Sequence, residues 1–370
     1  MENILVDHSE TVISLVGNIP VLLEADMAKE LFRQFEHPEN SCSQIRFSNI
    51  SFGVGAARVA EPILSSLKQQ LTEVHLSTFV TGRSESEAVE VMGILSSALE
   101  GCSLKTLSLS HNYLGEKGVR AFGGLLKSQS NLEKLYLMKA NITKEAAKAI
   151  SELIPSTEKL KVLHFDYNRT GDEGAIFIAK IVEGSTSLQD FRCATSWIGS
   201  KGGVALVEAL GKCCNLQKLN LMDNMFGIEA RKPLARALLA NAGLTKVCLA
   251  ECVAAKKSLT KLNLSGNRLK DVGATMIGRA LACDHNQLKK VDMSQNGITV
   301  EGARNLANAV CDKPNFTLLN INGNCISEEG IVEVKQIFGE SLSLLGPLDE
   351  NDPNGEDESD ENDPNGEDDE

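Results

Sequence analysis

Six leucines stand 28 residues apart, at Leu104, Leu132, Leu160, Leu188, Leu216 and Leu244. Each opens a variant of one phrase, cleanest in LKTLSLSHNYLG at 104–115 and LQKLNLMDNMFG at 216–227. A fixed period of this length restricts the chain to repeated supersecondary units. No single unit can bury its own apolar face, so neighbours must stack. In the unit 104–131, Leu107 and Leu109 alternate with Thr106 and Ser108, the period of a half-buried strand. After Gly115 the period changes, and Val119, Phe122, Leu125 and Leu126 recur at helical spacing. Asn112 falls where the chain turns, and its amide can satisfy backbone groups that no strand pairs.

The phrase L-x-x-L-x-L-x-x-N-x-L is the signature of a leucine-rich repeat. A unit of about 28 residues has room for a full helix. The expected fold is therefore an α/β leucine-rich-repeat solenoid, a ribonuclease-inhibitor-like horseshoe with parallel inner strands and outer helices. Hydrophobic residues make up 42% of the chain but aromatics only 4%, as leucine layers require. The net charge of −13 belongs to one end: residues 349–370 hold 13 Asp/Glu and no Lys or Arg, leaving 37 acidic and 37 basic side chains in 1–348. The body is formally neutral, which gives no support for a general attraction to nucleic acid or to an anionic membrane. No apolar run reaches membrane-spanning length, and MENILVDHSE lacks the basic-then-apolar order of a signal peptide. Ten Cys without a CxxC pair fit a reducing compartment.

Taken in order, residues 1–42 are expected to form an N-terminal segment and cap. Residues 1–19 show no clear period, and Pro20–Phe35 carry helical spacings. Residues 43–348 form the repeat domain. Its second unit, Leu71 to Leu104, is 33 residues long, with the excess at the turn FVTGR (79–83). From Leu244 to Leu259 the count is only 15, so a contracted unit at 244–258 is expected to be a weak point with apolar surface near Leu249 and Val253. Residues 341–348 are an apolar coda. Residues 349–370 are an acidic tail in which ENDPNGED occurs twice, too polar to order itself. Such a tail either solubilises the chain or engages a basic patch on a partner.

Motifs for chemistry are lacking. The six His are scattered without HExxH or HxH, and no GxSxG or phosphate-cradling loop is present. No metal site and no cofactor is expected. The strand residues between the leucines point to the concave side: Ser108, Tyr136, His164, Arg192, Asn220, Asn263 and Asp292. The following turns form a rim of His111, Lys139, Tyr167, Thr195 and Asp223. This mixed polar surface with few aromatics suits a protein partner.

Several phrases carry a closer resemblance: FVTGR (79–83), LYLM (135–138), STEKLKVLHF (156–165), TGDEGA (170–175), LMDNMFG (221–227), LLNINGNCISEEGI (318–331) and the DENDPNGED tail. Together they resemble Ran GTPase-activating proteins of the plant type, over roughly residues 20–370. The resemblance implies a non-enzymatic regulator that stimulates the GTPase Ran in its GTP form and supports nucleocytoplasmic transport, with Ran-binding proteins as further partners. It implies a cytoplasmic, nuclear or perinuclear location, and the similarity does not extend to the N-terminal domain that anchors plant members at the nuclear envelope. In this family an asparagine on the rim, and not an arginine finger, orients Ran's own glutamine, which holds the attacking water. The asparagine follows LYLM, where this chain has Lys139. The repeat-consensus position is Ala140, and Asn appears only at Asn141. Lysine has no acceptor, so weakened activation is the expectation. The resemblance makes Arg83 and Lys139 contacts for the GTPase, with Tyr136, His164, Asp166 and Asp223 as neighbouring surface. The alternative is a non-catalytic leucine-rich-repeat scaffold, which Lys139 favours over an activator. An enzyme inhibitor of the ribonuclease-inhibitor group fits less well, because that pattern lacks the extended 71–104 unit.

Overall fold

The computed structural model describes residues 4–9, 11–35, 41–213, 215–226, 259–282 and 285–352, with 229, 230, 233, 234 and 354 as isolated positions. Among the described residues twelve strands form one sheet in chain order. β1 (Ile4–Ser9) is antiparallel to β2 (Val12–Leu23), and every later pair is parallel: β3 (Gln44–Phe52), β4 (Glu73–Ser77), β5 (Thr106–Ser108), β6 (Lys134–Tyr136), β7 (Val162–His164), β8 (Asp190–Arg192), β9 (Lys218–Asn220), β10 (Lys261–Asn263), β11 (Lys290–Asp292) and β12 (Leu318–Asn320). Helices alternate with them: α1 (Ala25–Phe32), α2 (Val54–Leu67), α3 (Glu85–Leu99), α4 (Gly115–Ala121), α5 (Gly123–Lys127), α6 (Lys144–Leu153), α7 (Gly171–Glu183), α8 (Ser200–Leu210), α9 (Lys270–Ala282), α10 (Val300–Val310) and α11 (Glu328–Phe338). The leucine-rich-repeat solenoid is thus the observed fold. Among the described residues no helix is long and apolar enough to cross a membrane.

The middle residue of each short strand points between sheet and helices. Leu107, Leu135, Leu163, Phe191, Leu219, Leu262, Val291 and Leu319 are each at most 3% exposed, and each such burial is worth roughly 1.5–3 kcal/mol. Turning leaves backbone groups without strand partners, and a buried asparagine ladder answers them. Asn168 is typical: its Oδ1 accepts from Ala140 N (3.1 Å) and Ile142 N (3.0 Å), while its Nδ2 donates to Leu137 O and Phe165 O. Asn112, Asn224, Asn296 and Asn324 repeat the pattern.

Both ends differ from the sequence expectation. The aperiodic stretch 1–19 contains β1 and most of β2, and the helix expected across Pro20–Phe35 is confined to α1 and one 3₁₀ turn, Arg33–Phe35. Strand β2 runs through Pro20, where the pairing with β3 shifts register between Val16 and Val21. A proline is tolerated at such an irregularity. Phe32 then packs on Phe35, Phe47 and Phe52, closing the first layer.

At the other end, order continues past residue 348. Leu345 bridges Leu319, Glu350 N donates to Asn322 Oδ1, and Asn351 Oδ1 accepts from Asn324 N at 2.9 Å. Asn351, from the first ENDPNGED copy, thereby extends the ladder over the last rung, whose amides need acceptors. The contracted unit 244–258, with Leu249 and Val253, lies outside the described residues. β9 and β10 pair directly, Lys218 with Lys261, so 43 residues separate these two rungs in place of 28.

Candidate partner-binding surface

Beyond each strand the chain turns through a residue with left-handed backbone: His111 (φ 60°), Lys139 (50°), Tyr167 (60°), Thr195 (49°) and Asp223 (51°). The cause is pairing with the next rung. Lys139 N donates to Asp166 O (2.9 Å), Tyr167 N to Ala194 O and Thr195 N to Met222 O (both 2.8 Å). A side chain with a Cβ pays roughly 1–2 kcal/mol for this conformation, and Asn is among the few that adopt it readily. The crest is therefore a constant register of projecting side chains, the same five positions that the spacing placed on the rim.

Lys139 is exposed, and its Nζ lies 5.1 Å from the centre of the Tyr167 ring, a cation–π contact. Thr195 Oγ1 donates to Asp223 Oδ2 at 3.4 Å. One step outward stand Tyr113, Arg169, Trp197 and Met225, with the Arg169 guanidinium 5.4 Å from the Trp197 ring. Tyr113 is 87% exposed, Trp197 59%, Met225 57% and Tyr167 49%. Of the chain's three Tyr and one Trp, Tyr113, Tyr167 and Trp197 lie on this crest, while Tyr136 lies on the concave side. Aromatics are few in number, as the composition says, and most are buried Phe, but these three stand where a partner would meet them. Tyr, Trp and Arg are the residue types that dominate binding energy at interfaces.

On the concave side Tyr136 and His164 meet edge to face, with ring centres 5.0 Å apart. His164 Nε2 is 3.1 Å from Asp190 Oδ1, which also takes Arg192 Nε at 3.2 Å. By strict geometry Nε2 has no hydrogen-bond partner, although it stands within hydrogen-bonding distance of the carboxylate. Burial alone would raise the Asp190 carboxyl, but His164 and then Arg192 outweigh it and hold it below its usual range. Burial raises Asp166, opposed by the Ala194 N–H that its Oδ1 accepts at 2.8 Å. Asp166 is 5% exposed and braces the neighbouring rung. Burial, helped by the Asp190 charge, also raises Tyr136. The structure thus brings Tyr136, His164 and Asp166 together beneath Lys139. It sets Asp223 three rungs along the crest, about 14 Å away.

Arg83 is placed differently. The extended turn is anchored by buried Phe79, whose N–H donates to Asn112 Oδ1, and by Ser51 Oγ donating to Thr81 O. The Arg83 side chain, 8% exposed, points inward. Its guanidinium binds Glu24, Glu87 Oε1 (3.1 Å), Ser51 O (2.8 Å) and Leu23 O (3.3 Å). It ties the turn to β2, β3 and α3, a geometry unlike that of a guanidinium held out to a partner.

At the position of greatest interest the ladder is interrupted. Ala140 occupies an asparagine site and is fully buried, and Leu114 N donates to the Ala140 carbonyl at 3.1 Å where an amide oxygen serves elsewhere. Asn141 is left-handed (φ 54°) and half-buried. It lines a groove of roughly 610 Å³ between the 80–83 turn and Tyr113–Lys117. The crest register is unchanged, so Lys139 holds the summit and Asn141 lies two residues down the outer slope. The gap at Ala140 follows from the repeat spacing, but the groove was not legible in the sequence, because it depends on residues a full repeat apart.

Among the described residues no group of three or more His, Cys, Asp or Glu is placed to hold a metal ion. Burial pushes the Cys193 and Cys213 thiols up to about 12 and Cys102 to about 11, which removes them as nucleophiles. What the surface offers is shape, cations and aromatic contact area.

Comparison with known proteins bears on family and fold. The leucine-rich-repeat family profile matches residues 102–123, 255–278 and 285–307. The chain is 51% identical over 394 aligned residues to RAN GTPase-activating protein 2 of Arabidopsis thaliana, covering 95% of this chain and 72% of the relative. It is 56% identical over 122 residues to RAN GTPase-activating protein 1 of the same plant, covering 33% of this chain and 23% of that one. Among solved structures, an internalin from Listeria monocytogenes aligns with a TM-score of 0.50 at 14% identity, covering 92% of this chain and 86% of the internalin. That likeness is of fold alone.

Proposed function

The chain belongs to the Ran GTPase-activating protein family, and from that premise we propose that it binds a Ran-type GTPase in the GTP form and accelerates hydrolysis there. The bond broken is the partner's, and the partner's glutamine holds the water. This chain supplies the rim that orders that glutamine and excludes solvent. The Lys139–Tyr167 pair forms the centre of contact. Tyr113, Trp197 and Asp223 extend the contact along the crest, and Tyr136, His164 and Asp166 support it from the concave side. Arg83 acts as a positioning residue that holds the 78–84 turn beside the groove.

The observation that carries the reading is the crest register, which presents Lys139 where the family's asparagine is expected. An ammonium donates hydrogen bonds and neutralises phosphate charge but accepts nothing. A glutamine amide needing both a donor and an acceptor is therefore only half held. Activation is retained through binding and charge, at a level below that of an asparagine-bearing rim.

Single-turnover hydrolysis of Ran-bound GTP tests this. The expected result is a rate above that of Ran alone, saturating with added chain. Saturable binding with an unchanged rate would make the chain a scaffold, and absence of binding would remove the rim assignment altogether.

A further inference from the structure

Lys218, Lys261 and Lys290 are the first residues of β9, β10 and β11, and the register sets each directly opposite the next. Adjacent strands lie about 4.8 Å apart, a spacing at which like charges facing each other weaken a sheet. Relief is partial. Lys218 Nζ lies 3.7 Å from Asp190 Oδ2, but among the described residues Lys261 and Lys290 have no ion-pair partner, and both are exposed. Arg192 of β8, itself paired with Asp190 Oδ1 at 3.2 Å, adds a fourth cation. The four border a concave pocket of roughly 240 Å³ whose one lining carboxylate, Asp292, is taken by Ser294 N (3.1 Å) and Ser294 Oγ (2.6 Å). The row is unfavourable for the fold as it stands, and an extended anion would neutralise it.

Charge complementarity within the chain identifies that anion. Residues 1–348 are balanced, whereas 349–370 carry 13 carboxylates and no cation. The described part of this end lies beside the last rung, where Asp352 N donates to Asn324 O at 2.8 Å. The eighteen residues that follow Asp352 span up to roughly 60 Å when extended. The lysines lie only two to four rungs away, about 10–20 Å across the sheet.

We propose that the acidic tail docks on the chain's own concave face, its carboxylates over Lys218, Lys261 and Lys290. The tail is then an internal competitor for any acidic segment of a partner that reaches this end of the face. The contact is between solvent-exposed charges and weakens with salt. It stands independently of GTPase activation and is read without Ran.

The test is zero-length carbodiimide coupling on the full chain, with coupled peptides mapped by mass spectrometry and isotopically mixed chains to separate intrachain from interchain pairs. Tail carboxylates are expected to couple within the chain to Lys261 and Lys290. The yield should fall at least about fivefold at about 1 M salt, where the screening length is about 3 Å. In a Lys261→Gln/Lys290→Gln variant the tail should not redistribute wholesale to Lys335, which lies on the outer helix of the last repeat. Equal coupling to Lys335 and Lys127 in the unaltered chain, or coupling only between chains, would overturn the proposal.

Discussion

Asn168 shows how much of this fold rests on single side chains. Its amide accepts from two backbone N–H groups and donates to carbonyls on two rungs, all buried. Asn168→Ala leaves these groups unpaired and is expected to cost about 2–4 kcal/mol in urea unfolding. A loss under about 1 kcal/mol would mean that water or a shifted turn replaces the amide. The ladder was legible in the sequence because one residue type recurs at one place in the period. The same logic located Lys139 and the gap at Ala140. Arg83 was not legible in the same way. Its partners Glu24, Leu23 and Ser51 lie 32 to 60 residues away, and no local pattern signals that its guanidinium turns inward. Arg83→Ala is expected to lower stability by about 2 kcal/mol, discounted because Glu24 stands largely in solvent, and to open the 78–84 turn to proteolysis. Full stability and an intact turn combined with lost Ran binding would instead make Arg83 a direct contact.

At the level of elements, the three-residue strands and their alternation followed from the leucine spacing, and so did the extended turn in the second repeat. The two ends did not. The β1–β2 hairpin has no repeat period to betray it, and Asn351 sits in a segment whose acidic composition hides its role as a cap. Strands β7 and β8 also carry a charge coupling that periodicity alone could not pair. His164 and Arg192 hold Asp190 below its usual range. A carboxylate depressed on folding contributes stability above its unfolded value and loses it as pH falls through the folded value. Asp190→Asn is therefore expected to lower stability by about 1 kcal/mol near neutral pH, with a gap that closes as pH falls below about 4. A gap that persisted into acid would assign the loss to packing.

Over the whole molecule, stacked rungs convert a one-dimensional period into a continuous crest. Its backbone conformation is fixed by neighbour pairing, while its side chains are free to vary. That separation explains why the position of the surface could be read from spacing, whereas the clustering of Tyr113 and Trp197 beside Tyr167 on the crest emerged only from the structure. It also makes the central claim testable with little structural confusion, because Asn suits the left-handed backbone of Lys139 at least as well as Lys does. The decisive measurement is the single-turnover rate of GTP hydrolysis on Ran at saturating chain, compared between the natural sequence and Lys139→Asn. Removing one oriented hydrogen-bonding group from an active site typically costs about 10²–10³ in rate, so the account predicts acceleration by the natural chain and a further rise of at least about tenfold with Lys139→Asn. Equal rates for the two proteins, or a slower variant, would contradict it and show that the crest acts without an amide at this position.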